Sequence, residues 1–170
     1  MSWSDRGPVP RRRALGVLLG LTLTAAGCGF TPVYGPDGTG RALNGSVEVA
    51  VSGGIYGFSL GQALQNRFGP PTDPYFRLSY TLSTRSERVA ITTAQSTNRY
   101  NLIGRSNYQL VVLATGDVVT SGTVDGFSSY SATGSSVATR AASRDAYERL
   151  SVILSDKIVA RLQATPGLTR

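Results

Sequence analysis

The sequence predicts an α+β fold in which two helices pack on one face of a four-stranded, mostly antiparallel sheet. Apolar and polar residues alternate in several segments, apolar residues recur at helical spacing in others, and these segments follow one another in the order β-α-β-β-β-α. Packing both helices on the same face is the simplest way to remove both apolar stripes from water. At 170 residues the chain has room for one domain of ordinary size.

The first half of the domain is expected to contain one strand and one helix. Val47, Val49 and Val51 fall on one side of the segment Ser46–Ser52, which is typical of a half-buried strand. A helix is expected to begin at Ser59, because Ser59 and Gln62 have the spacing of a capping box. Its apolar stripe consists of Leu60, Ala63, Leu64 and Phe68, and it ends at Gly69-Pro70-Pro71.

Three further strands and a long helix are expected in the second half. Alternation begins at Phe76, and its change of phase near Val89 and Ile91 predicts a bulge or a strand end before a mobile connection. Residues 99–113 and 118–130 alternate again, and the turn at 115–117 makes them antiparallel neighbours. The last helix is expected over residues 137–164.

The amino-terminal residues predict export and a lipid anchor. Arg11-Arg12-Arg13 precede a short apolar run, Ala14–Ala26, which is the order of a secretory signal and is too short to cross a bilayer. Cys28 follows small residues as in a bacterial lipobox, where the thiol accepts a diacylglyceryl group. This divides the chain into a signal peptide (1–27), a lipidated tether that cannot propagate a helix (28–45) and a domain (46–165). The alternatives are a buried core helix for the apolar run and a free thiol at Cys28.

The composition argues against familiar catalytic chemistry. The chain has no histidine and one cysteine, so it lacks the usual residues of a zinc site, an imidazole base or an activated nucleophile. No catalytic residue, metal or cofactor is therefore expected. The enzyme alternative is a small cell-envelope hydrolase that works through Asp or Ser without histidine, with Asp117 and Asp125 as the candidate aspartates. Removing residues 1–27 takes away four arginines and one aspartate, so the formal charge falls from +7 to +4. The lower charge of the remaining chain gives little support to binding of nucleic acid.

Four arginines form the candidate binding site. Arg85, Arg88, Arg99 and Arg105 lie around the second and third strands, among Ser, Thr, Asn and Gln and with few acids nearby. Guanidinium groups can clasp phosphates bidentately, so such a cluster would suit a phosphorylated glycolipid. The alternative is a solvated surface that discourages strand-edge aggregation.

The order and spacing of several motifs resemble the lipopolysaccharide-assembly lipoprotein family, LptE, in its alphaproteobacterial form. The motifs are Cys28–Gly35, Arg99–Leu102 with Gly104, Tyr108–Leu110, Ala114–Asp117, Ser129-Tyr130 and Arg144–Leu150. The resemblance implies a two-layer α+β fold and a lipid anchor, with palmitate among its acyl chains, in the outer membrane of a Gram-negative cell.

The resemblance also implies partners. It places the domain inside the barrel of the lipopolysaccharide translocon subunit LptD, as plug and assembly partner, on the periplasmic side. A basic patch is implied to contact lipopolysaccharide (LPS), which carries over to Arg85, Arg88, Arg99 and Arg105. An accessory lipoprotein of another envelope secretion or pilus assembly is the alternative function.

Overall fold

The computed structural model confirms the predicted α+β class and adds one short helix. It describes residues 32–36, 38–50, 54–90, 98–132 and 135–168. The elements are α1 Thr39–Leu43, β1 Val47–Val49, α2 Ile55–Phe68, β2 Phe76–Ala90, β3 Asn98–Val112, β4 Val118–Ala132 and α3 Ser136–Gln163. Cys28 and the predicted signal peptide lie outside the described residues.

The four strands form one sheet in sequence order, β1-β2-β3-β4. β1 pairs with β2 in parallel, and α2 provides the connection between them. The pairs β2–β3 and β3–β4 are antiparallel, as expected. The predicted bulge is confirmed, because the register of β2 against β3 shifts between Arg88 and Ala90. The connection at residues 91–97 lies outside the described residues.

The sheet has two different faces. On the helix-covered face, Leu78, Leu102 and Leu110 are fully buried in the core between the sheet and the helices. Burying one such side chain contributes about 1.5–3 kcal/mol. α3 approaches this face closely because Gly104 and Gly126 lie opposite each other: an added Cβ would come within 2.8 Å of Leu150 at Gly104 and 3.2 Å of Leu154 at Gly126.

The other face, which we call the open face, carries the alternate side chains of β2, β3 and β4. These are exposed or half-buried, and no described element covers them. The distal end of the sheet is the end at which β2 finishes and β3 begins. The proximal end is the one at which β2 begins beside β1 and the end of β3. Among the described helices, none combines the length and the apolar character needed to cross a membrane.

The helix α2 begins four residues earlier than the capping-box spacing predicted. Ser59 is not an N-cap: its hydroxyl donates to the Ile55 carbonyl at 3.2 Å, inside the helix. The added turn is held by tertiary contacts. The Tyr80 hydroxyl donates to the Gly57 carbonyl at 2.8 Å, and the Tyr56 ring stacks on Tyr147 with centroids 3.5 Å apart. Such contacts outweigh a weak local cap.

The prediction that no helix forms before the first strand is wrong. α1 is short, but Leu43 at its end is 1% exposed and belongs to the core. The Thr39 hydroxyl donates to the Gln163 carbonyl at 2.5 Å, and the Gln163 amide donates to the Tyr34 hydroxyl at 2.9 Å. Burial of Leu43 and these bonds to the end of α3 stabilise a turn of helix that is too short to form alone.

Candidate functional site

The structure brings the four predicted arginines to the distal half of the sheet but divides them between its faces. Strand alternation places Arg85, Arg99 and Arg105 on the open face. Arg88 lies on the helix-covered face, beyond the region that α2 reaches, and faces Tyr100. A prediction made without the strand register could group these residues by sequence but could not separate them by face.

Two of the four arginines are paired with acids. Arg105 Nε donates to Asp125 Oδ1 at 2.7 Å, and the two residues lie directly opposite each other on β3 and β4. This hydrogen bond and the negative charge of Asp125 raise the pKa of Arg105. Arg85 Nε lies 2.8 Å from Glu87 Oε1, two residues along the same strand. The expectation of few acids near these arginines is therefore wrong.

Arg88 instead belongs to an aromatic cluster that sequence reasoning missed. Its Nη2 donates to the Tyr100 hydroxyl at 3.2 Å, and its guanidinium carbon lies 5.6 Å from the centre of that ring. Tyr100 stacks on Tyr130 with centroids 5.3 Å apart, and the Tyr130 hydroxyl lies 3.5 Å from that of Ser86. Tyr100 and Tyr130 are opposite each other in the register, so correct strand pairing was the signal that could have found the cluster.

A second group of arginines lies on the helical side of the molecule. Arg140 and Arg144 of α3 line a recess of about 350 Å³ together with Tyr56 and Tyr147. Burial, and then the neighbouring Tyr147, raise the pKa of Tyr56. No described acid lies within ion-pair distance of Arg140, Arg144 or Arg88. Glu148 also lines this recess and partly offsets the positive charge of Arg140 and Arg144.

The open face is polar and its side chains are linked to one another. Asn107 on β3 connects the two flanking strands: its amide nitrogen donates to Thr81 at 3.4 Å, and its oxygen accepts from Thr123 at 2.7 Å. Near the distal end, Ile103 and Phe127 are directly opposite each other. Phe127 is 68% exposed, so this apolar pair interrupts an otherwise polar surface.

Two basic side chains of α3 close the outer edge of β4. Arg149 Nη2 donates to the Ser129 carbonyl at 3.0 Å, and Lys157 Nζ donates to the Asp125 carbonyl at 2.6 Å. β4 is the last strand of the sheet, and these two of its carbonyls accept hydrogen bonds from helix side chains. Occupying them makes the edge a poorer template for another strand.

The aspartates considered for catalysis have structural roles in this fold. Asp117 belongs to the β3–β4 turn, where its backbone N–H donates to the Thr115 hydroxyl oxygen at 3.2 Å. Asp125 is the partner of Arg105. Across the described ranges, no group of three or more Cys, Asp or Glu side chains could hold a metal ion.

Comparison with known proteins identifies solved structures with a similar fold and a protein family that matches this chain. A crystal structure of a Caulobacter crescentus CB15 protein assigned as a lipoprotein has a TM-score of 0.62 and 22% identity, covering 74% of this chain and 92% of that one. The rare lipoprotein B of Shewanella oneidensis has a TM-score of 0.52 and 12% identity, covering 71% and 93%.

These structural likenesses concern the fold, and no curated protein sequence matches this chain. A family model described as LptE, lipopolysaccharide-assembly, matches residues 44–162 and so covers most of the chain, from just after α1 to the last turn of α3. The chain belongs to the LptE family of lipopolysaccharide-assembly proteins.

Proposed function

We propose that this protein is an outer-membrane lipoprotein, anchored through Cys28, that plugs and helps to assemble the translocon barrel LptD and so aids delivery of LPS to the cell surface. Membership of the LptE family supports assembly of LPS as the process. The observation that carries the finer proposal is the open face, a polar surface on a domain that belongs to this family.

The open face has the chemistry of a surface that meets a polar wall. Three ion pairs lie on it: Arg77 with Glu48, Arg85 with Glu87, and Arg105 with Asp125. Between them, hydroxyl and amide groups are already hydrogen-bonded across three strands. The inner wall of a large outer-membrane barrel is also polar, because the apolar residues of its strands face the lipid. Two such surfaces can form hydrogen bonds while these three ion pairs stay intact.

Co-purification tests this function. The full chain, carrying an affinity tag after Arg170, is isolated from host outer membranes in mild detergent, beside a Cys28→Ala variant. We expect a large β-barrel in equimolar amount with the acylated chain, identified as LptD by mass spectrometry, and much less with the variant. Recovery of the wild-type chain without a barrel, or with components of a secretion or pilus system, would contradict the proposal.

The LPS contact is proposed at Arg85, Arg88, Arg99 and Arg105. The four arginines are not equally available to a phosphate group. Arg85 and Arg105 are already paired with Glu87 and Asp125, whereas Arg88 and Arg99 have no acid partner among the described residues. We expect Arg88→Ala and Arg99→Ala each to weaken binding of purified LPS about tenfold, and Arg85→Ala and Arg105→Ala by less than threefold.

The measurement is the dissociation constant at low and at high salt, with circular dichroism as the folding control. A phosphate contact gives a loss that shrinks as salt rises, because screening weakens the interaction in the wild-type chain too. Unchanged affinity in all four variants would remove these residues from the site.

A further inference from the structure

We infer that Phe127 and Ile103 form the apolar centre of the surface through which the open face contacts the barrel wall. This inference rests on the proposed function and adds to it the face and the residues that make the contact. The charge, composition and size of this face favour the barrel over an anionic ligand, a second copy of this chain or an added strand.

Phe127 is a largely exposed aromatic residue on the open face. The ring is 68% exposed, whereas Phe68 and Phe76 in the core are 3% and 2% exposed. Phe127 and Ile103 line a recess of about 410 Å³ with the polar side chains of Asn101 and Asp125 beside them. An exposed aromatic ring amid polar groups is typical of the residue that dominates a protein interface, since covering it removes apolar area from water while the rim keeps its hydrogen bonds.

The charges around this pair favour a neutral protein wall over an anionic ligand. Arg85 lies opposite Ile103, and Arg105 lies two residues further along β3; each forms an ion pair, with Glu87 and Asp125 respectively. Lys157 also lines the recess, and its Nζ donates to the Asp125 carbonyl. An anion would have to displace a carboxylate from each guanidinium. A wall of hydroxyl and amide groups can instead accept the remaining donor hydrogens without breaking either pair.

The dimensions of the face fit a specific interface. β2, β3 and β4 each have 15 residues, which corresponds to a surface of about 50 Å by 14 Å, or roughly 700 Å². A standard interface buries about 800 Å² on each partner.

Two other modes of contact fit less well. A second copy of this chain is disfavoured because homodimer interfaces are markedly apolar, and Phe127 with Ile103 is a small apolar island on a polar face. Addition of a partner strand to β4 is disfavoured because Arg149 and Lys157 occupy its edge carbonyls.

The experiment compares Phe127→Ser with Phe58→Ser in the full, acylated chain. Phe58 is a matched control because it is 55% exposed but lies on α2, in the helical layer. Both variants are expected to keep the wild-type melting temperature. In co-purification from outer membranes, Phe127→Ser should recover at least tenfold less barrel than the wild type, and Phe58→Ser should recover the same amount.

A second measurement covers the case in which Phe127→Ser fails to fold. Benzoylphenylalanine in place of Phe127 keeps an aromatic ring, and irradiation of living cells should join the chain to the barrel; the same probe at position 58 should not.

The outcomes separate the inference from the proposed function. If wild type and both variants recover the barrel equally, or the probe at 127 gives only a dimer of this chain, the inference is wrong and the proposed function stands. If the wild-type chain recovers no barrel, both are wrong.

Discussion

Ser106 has a polar side chain at a buried position where its hydroxyl group finds no hydrogen-bond partner among the described residues. It lies on the helix-covered face of β3, fully buried between Gly104 and Tyr108, and its hydroxyl has no hydrogen-bond partner among the described residues. A small side chain is needed there, because α3 packs closely over the neighbouring glycine. The hydroxyl itself is a cost, since burying one without a bond is unfavourable by about 1–3 kcal/mol.

Replacing Ser106 with alanine should therefore stabilise the domain. We expect Ser106→Ala to raise the free energy of unfolding by about 1 kcal/mol, which corresponds to a melting temperature about 3 °C higher. Ser46→Ala is the control, because Ser46 is equally buried but donates to the Ala42 carbonyl; it should lose about 1 kcal/mol. Urea denaturation of a chain beginning at Pro32 measures both. Destabilisation by Ser106→Ala would mean that this hydroxyl has a partner in solution.

The positions of individual residues also explain why the arginine site was only partly predictable from the sequence. Arg85 and Glu87 are two residues apart on one strand, so their side chains lie on the same face. This ion pair could therefore have been predicted from the sequence. The pairing of Arg105 with Asp125 depends on the register of β3 against β4, which spans a turn and a bulge near Leu110. A shift of one residue would send either side chain to the opposite face.

At the scale of elements, long periodic segments were predictable and short ones were not. The order of β1, α2, the three long strands and α3 follows from apolar periodicity, as does the phase change that marks the bulge at Arg88. Local spacing misplaced the start of α2, because Tyr56 and Gly57 are held by residues distant in sequence. α1 was missed for a similar reason, since its contacts are with the far end of the chain.

The pairing of α3 with the edge of β4 leads to a prediction about association. The double variant Arg149→Ala/Lys157→Ala leaves the carbonyls of Ser129 and Asp125 without these donors. We expect it to self-associate in a concentration-dependent manner, because a 15-residue edge strand becomes open to pairing. Sedimentation velocity over a hundredfold concentration range measures the effect in a chain beginning at Pro32.

The control for this experiment is Arg140→Ala/Arg161→Ala, which removes the same charge from the same helix. Within the described part of the chain, neither of those side chains donates to a β4 carbonyl as Arg149 and Lys157 do, so this variant should sediment as the wild type does. Equal association of both double variants would attribute the effect to net charge rather than to the strand edge.

For the whole molecule, the segment before the first strand connects the proposed anchor to the core. Residues 33–45 fall in the stretch that the sequence predicted as a tether, yet Gly40 donates to the Val33 carbonyl at 2.9 Å, and Leu43 is packed in the core. The segment contacts the carboxyl-terminal part of α3 through Thr39 and Tyr34. Turn-forming residues in the sequence favour a linker, but they do not reveal the tertiary contacts that hold this segment to α3.

This connection predicts that the folding unit begins well before Ser46. Leu43→Ala should lower the free energy of unfolding by about 2–5 kcal/mol, because it leaves a cavity in the core. A chain beginning at Ser46 should lose at least as much relative to one beginning at Pro32, since it also lacks the bonds to Gln163. Val33→Ala should lower the free energy of unfolding by only about 0.5 kcal/mol, because Val33 is 37% exposed. Urea denaturation compares the four chains; equal stability of the two starting points would show that the segment serves only as a linker, and the anchor would then be free of the fold.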